Sequence, residues 1–156
     1  MQEARVERLV TLMRERGLRL TLARRLLIEE LVADGGHITA EELGDRVHGR
    51  SGGVHRATIY RSLDALERGG IVEHVHLGHG PAVYHLADDL HQHLVCEGCG
   101  AVTEAPAGLL VGAQRRLAKS SGFKLKAHHF ALFGRCRDCE ARSRATPTSS
   151  ARAAGT

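Results

Sequence analysis

The sequence predicts an α+β fold in two units, and three observations carry that prediction. Apolar residues recur at the helical period up to about Gly69 and at a period of two after it. The chain has 156 residues, enough for two small units that share an interface. Its four cysteines stand in two CxxC pairs, both in the second half. In order, Val6, Leu9, Val10, Leu12 and Met13 predict a first helix that ends near Gly17. Ala23, Leu26, Leu27 and Leu31 predict a second, with Thr21 as N-cap and Gly35-Gly36 as its stop. Thr39-Ala40-Glu41-Glu42 has the form of a capping box and opens a short third helix through Leu43 and Val47. After the glycine-rich loop HGRSGGV, RATIYRSLDALERGG reads as a fourth helix with Ile59, Leu63 and Leu66 inward. IVEHVHL and AVYHL then read as two strands around the turn GHGP.

Helices followed by a hairpin are the elements of a winged helix-turn-helix, assigned to residues 1–86 with the wing at 71–86. ADDL, residues 87–90, is the expected hinge. Residues 91–140 form the second, α/β unit: strands around HLVC and AVTE, a helix from about Ala107 to Ser121, then strands FKLKA and HFALF. The segment 141–156, ARSRATPTSSARAAGT, lacks apolar periodicity and is expected to be disordered.

Charge says little about partners. The net charge is +4, but residues 1–70 hold 12 Lys and Arg against 11 Asp and Glu, so local placement must carry any claim of nucleic-acid binding. No apolar run is long enough to span a membrane, and the N-terminus MQEARVERLV is amphipathic rather than a signal sequence. A cytoplasmic protein is expected, and there four cysteines argue for metal rather than disulfides.

Cys96-x-x-Cys99 and Cys136-x-x-Cys139 can each direct two sulfurs at one ion from a tight turn. Two such pairs complete a tetrahedral thiolate shell, which suits structural Zn2+ and leaves no open position for chemistry. His91 and His93 are two apart on a strand, so both rings face one side, and Cys96 belongs to the turn beyond. Histidines and cysteines are therefore expected to form two centres. His85 near the hinge, Glu104 on the neighbouring strand and His37 in the loop after the second helix are the residues that could join the histidine pair. His74 and His76 form another such pair on the wing, with His79 in its turn, and His128 and His129 stand on a late strand. No HExxH motif or nucleophile constellation suggests an enzyme.

From about residue 17 to 140 the chain resembles the ferric uptake regulator (Fur) family of bacterial metal-dependent repressors. The resemblance rests on GLRLTLARRLLIEEL, RATIYRSLDALERGGIV, YHLADDLHQHLVCEGCGAVTE and HHFALFGRCRDC. It implies a winged helix hinged to a dimerisation domain, and a homodimer on a palindromic operator in double-stranded DNA. By similarity, Cys96, Cys99, Cys136 and Cys139 hold structural zinc, and His37, His85, His91, His93 and Glu104 form the regulatory metal site. Tyr60 and Arg61 match residues that meet the major groove, with Arg56 and Thr58 on the same helix, and Arg19 matches a residue near the minor groove. Arg19, Arg24 and Arg50 are weaker candidates, since exposed arginines are usually a solvated face.

The departures are specific. Leu22 stands where many members have proline, and Leu90, Gln92 and Val111 replace ligands of an additional site. His85 replaces a carboxylate of iron- and peroxide-responsive members. HLGHG, YHLAD and HFALFGRC look most like the nickel-responsive branch, which makes His74, His76 and His129 candidates for a second metal site and Ni2+ the first choice of regulatory ion over Zn2+ or Fe2+. An iron- or zinc-responsive regulator or a peroxide sensor is the main rival, with metal storage or a metalloenzyme more remote.

Overall fold

Local rules set the first four helices. In the computed structural model, which describes residues 1–78, 80–88, 91–126 and 131–145, α1 (Gln2–Glu15) and α2 (Leu22–Asp34) pack side by side. Thr21 caps α2 by accepting the Arg24 amide, and Gly35 ends it at φ 67°, a left-handed conformation that glycine adopts without cost. Thr39 and Glu42 form the reciprocal capping box that opens α3 (Ala40–Arg50). The fourth helix, α4 (Arg56–Arg68), buries Ile59, Ser62, Leu63, Ala65 and Leu66 on one face.

Between α2 and α3 lies a strand of two residues that no period could signal, β1 (Ile38–Thr39). It pairs with β3 (Val83–Leu86), which also pairs with β2 (Val72–Val75), so the wing is a three-stranded antiparallel sheet of order β1-β3-β2. The helices and this sheet enclose one core running from Val6 to Leu86, with Val10, Met13, Leu27, Leu43, Leu63 and Val72 almost solvent-free.

The second unit is differently built. Its sheet has the order β5-β4-β6, with β4 (His91–Cys96) antiparallel to β5 (Val102–Pro106) and parallel to β6 (Ala131–Gly134). A 3-10 turn (Ala107–Leu110) leads into α5 (Val111–Ser121), none of whose residues is buried. The shared apolar cluster is small: Val75, Val95 and Ala131, with Leu77 and Val83 against it, joining the wing to the second sheet. Val102, Leu109, Leu117, Phe123 and Phe133 remain exposed.

Three expectations need correction. Phe123–Lys126 of FKLKA forms no strand, because among the described residues no ladder reaches it; a run with strand-like alternation still needs a neighbour. The chain is also ordered beyond residue 140, since α6 (Arg137–Ala145) enters the segment expected to lack structure. A short helix anchored at one end does not need an apolar period. The second cysteine pair therefore sits at the start of a helix rather than on a turn. Residues 146–156 and the expected hinge residues 89 and 90 lie outside the described ones.

Candidate metal centres

The turn after β4 is built to converge sulfurs. The Cys96 amide donates to the Ala101 carbonyl at 2.9 Å, and the Gly100 amide donates back to the Cys96 carbonyl at 2.8 Å. β6 runs beside β4 and delivers Cys136 to the same end. All four Sγ atoms lie within 4.8 Å of one another, with Cys99 and Cys136 at 3.9 Å, and all four cysteines are free. A tetrahedral zinc–thiolate shell has sulfurs about 3.8 Å apart, from bonds of about 2.3 Å, so the residues present fit the ion.

Gly98 is part of that fit. A Cβ there would stand 2.9 Å from both Cβ and Sγ of Cys139. The Cys136 amide, at 3.3 Å, and then the amides of Cys99 and Gly98 draw the Cys96 thiol down to about 6 against the effect of burial. The Ala101 amide pulls Cys99 the same way, but the neighbouring sulfurs of Cys96, Cys139 and Cys136, together with burial, push it up to about 11. The Cys96 thiolate forms readily while Cys99 resists ionising, a frustration that a divalent cation would remove.

The second centre forms across the chain. His37 hangs in the loop between the α2 cap and β1, while His91 and His93 project from one face of β4. The Nε2 atoms of His37 and His91 are 3.0 Å apart, as are those of His91 and His93, and His93 also contacts His37 directly. Burial first, and then the like charges of His37, His91 and His85, lower the His93 imidazole from 6.5 to about 4. His93 is thus neutral near pH 7, the form that binds metal, and nitrogens around one zinc-sized ion lie about 3.3 Å apart. The trio fits a divalent ion.

Two further predicted members stand back. His85, on β3, is buried with its ring centroid 5.4 to 5.6 Å from the other three. Glu104 faces His93 across the ladder, yet its carboxylate is exposed and 3.8 Å from His91 Nε2. Gln92, on the opposite face of β4, is fully buried, and among the described residues neither amide atom has a hydrogen-bond partner.

The wing histidines meet differently. His74 and His76 are in edge contact at 5.8 Å, and His74 Nδ1 pairs with the Glu67 carboxylate of α4 at 2.6 Å. His79, His128 and His129 lie outside the described residues. Along α4, Arg56, Tyr60 and Arg61 are exposed opposite the buried stripe, with Thr58 half-buried and accepting from Arg61 at 3.4 Å. Arg56 is held by Glu41 of α3 at 3.0 Å, Arg19 is exposed just before α2, and Arg50 is bound to Glu29 and Glu30.

Sequence reasoning missed Arg142, whose guanidinium donates to Cys139 Sγ at 3.0 Å, and the pairing of Glu67 with His74. The one signal for Arg142 is its place three residues after Cys139, which matters only once that segment is helical.

Residues 15–133 match the model of the Ferric uptake regulator family. The ferric uptake regulation protein of Campylobacter jejuni is 33% identical over 137 residues, covering 86% of this chain and 87% of that protein. The peroxide operon regulator of Bacillus subtilis is 28% identical over 127 residues, covering 81% of this chain and 88% of that protein. The solved structure of the ferric uptake regulator from Pseudomonas aeruginosa with manganese superposes with a TM-score of 0.65 at 30% identity, covering 80% of this chain and 95% of that one. Among the described residues no helix is long and apolar enough to cross a membrane.

Proposed function

The chain belongs to the ferric uptake regulator family, and on that premise we propose that it is a metal-responsive repressor whose signal is read between its two units. The family makes the broad function plain: a metal-responsive regulator of transcription that binds DNA as a dimer, and not an enzyme. The observation that carries the finer reading is the meeting of His37, from the DNA-binding unit, with His91 and His93 from the second unit.

A divalent ion bound there supplies coordinate bonds to both units, so the inter-domain angle that lets every imidazole reach it is favoured over the others. His37 moves with α2 and the wing; His91 and His93 move with β4. His85 from β3 and Glu104 from β5 stand back from the trio and would complete the shell by moving inward. Cys96, Cys99, Cys136 and Cys139 would hold structural zinc, which would tie the end of β6 to that of β4. Nickel is the first regulatory metal to test. An imidazole-rich donor set with its carboxylate set back suits nickel, zinc, copper or ferrous iron and offers little to manganese. His74 and His76, with His129, make a second site on the wing.

Arg56, Thr58, Tyr60 and Arg61 present the exposed face of α4 to the major groove, and Arg19 reaches the backbone beside it. In a dimer the two α4 helices enter successive grooves about 34–36 Å apart, which calls for a palindromic operator. The exposed apolar side chains of β5, α5 and β6 are the surface a second copy covers. The cytoplasm, where thiols stay reduced, is the fitting compartment.

The likeness to a peroxide operon regulator favours a second reading, in which a histidine of the trio is the group that peroxide oxidises. To test both, nickel, zinc and ferrous iron are titrated into wild type and His91→Ala/His93→Ala, with binding to DNA selected from a random palindromic library read by fluorescence anisotropy. The proposal expects one metal to tighten DNA binding by wild type alone. Equal tightening of the double variant overturns it; release of DNA by peroxide from the iron-loaded form, with no response to nickel, favours the second reading.

A further inference from the structure

Arg142 stands on α6, one turn after Cys139, with its Nη2 donating to the Cys139 sulfur at 3.0 Å. We infer that Arg142 is a positioning residue of the four-cysteine centre, holding the Cys139 sulfur in place and slowing loss of the ion. The inference rests on reading that centre as a zinc site.

Four thiolates around one divalent cation leave the site two negative charges in excess. Cys96 and Cys139 are buried, so that excess is not well hydrated and must be met by nearby donors. Backbone amides serve the first pair: the Cys136 amide reaches Cys96 Sγ at 3.3 Å. Cys139 instead receives a full cation. It is also held in place, because Gly98 presses so close that even a Cβ there would stand 2.9 Å from Cys139 Sγ.

The chemistry follows from the lone pair. A cysteine ligand would leave by withdrawing its lone pair from the metal and swinging out of the shell. A charge-assisted N–H···S bond holds that sulfur where it is and shares its negative charge. Outer-layer partners of this kind typically change metal affinity by about 10- to 100-fold. α6 therefore places this cation on the site.

The test uses the full-length zinc-loaded protein. Zinc per monomer is counted by elemental analysis, and its transfer to 4-(2-pyridylazo)resorcinol is timed between pH 6 and pH 8. Arg142→Ala should release zinc about 10-fold faster, with Arg142→Lys restoring slow release and Arg142→Gln falling between. Arg137→Ala, also on α6, should match wild type. In cobalt-substituted protein the sulfur-to-metal charge-transfer band should shift in Arg142→Ala and not in Arg142→Lys, which loss of helix alone would not produce. Equal release from wild type and Arg142→Ala, or no rescue by Lys, overturns the role of Arg142 with the zinc site intact. Wild type that holds no zinc overturns the zinc reading and this inference with it.

Discussion

Replacing His37 by alanine tests the inter-domain reading most directly. His37 Nε2 is 3.0 Å from His91 Nε2 and also touches His93, whereas the His85 ring, on the same unit, is centred more than 5 Å from each of the trio. His37→Ala therefore removes the near candidate ligand from the first unit and leaves His91 and His93 on the other, still 3.0 Å apart. Metal should still bind, more weakly, without tying the units together. A coupling of about 1–3 kcal/mol tightens DNA binding about 5- to 150-fold in wild type, and the variant should keep no more than about 2-fold. The assay is a pair of anisotropy titrations of operator DNA, with and without saturating metal, and calorimetry to show that saturation is reached. His85→Ala should lose less than His37→Ala, and the double variant should lose all. A His37→Ala protein that binds metal and keeps the full gain in DNA affinity would refute the reasoning, because the signal would then travel by another route.

Three further outcomes are expected. In metal-free protein the folded pKa of His93, about 4, lies below its unfolded 6.5, so the unfolded chain binds more protons between those values; the contribution of His93 is intact above pH 6.5 and is lost as pH falls toward 4, by about 3 kcal/mol at most. Urea unfolding across that range should show the loss, and His93→Gln should flatten it. Gly98→Ala should drive Cys139 from its place, costing about 1–3 kcal/mol of stability in the zinc-loaded protein and accelerating zinc loss, read by thermal melting and chelator competition. Removing zinc should expose the amides of β4, β5 and β6 to hydrogen exchange while α1 to α4 stay protected, since the large core lies wholly within residues 6–86 and the second unit shares only a small cluster.

How much of this was legible in the sequence varies with range. The helices α1 to α4 could be read because each is set by neighbours three or four residues apart: an apolar stripe, the Thr21 cap, the Thr39–Glu42 box and the Gly35 stop. FKLKA could not be judged the same way, because whether an alternating run becomes a strand depends on a partner far along the chain. β1 failed in the other direction, two residues long and held only by β3.

The same division governs the candidate sites. Spacing alone suggested that each cysteine pair turns its sulfurs toward one point and that His91 and His93 face one side, since the geometry of CxxC and of a strand is local. That His37 meets them across 54 residues, that Glu104 stands back, that His74 is tied to Glu67 and that Arg142 reaches Cys139 were decided only by the packed fold. The sequence by itself determined the first four helices and the kinds of candidate donor, because these rest on short-range sterics and donor chemistry. The tertiary structure decided which ligands share a centre, because that depends on loop closure and packing between residues whose separation along the chain carries no signal of their distance in space.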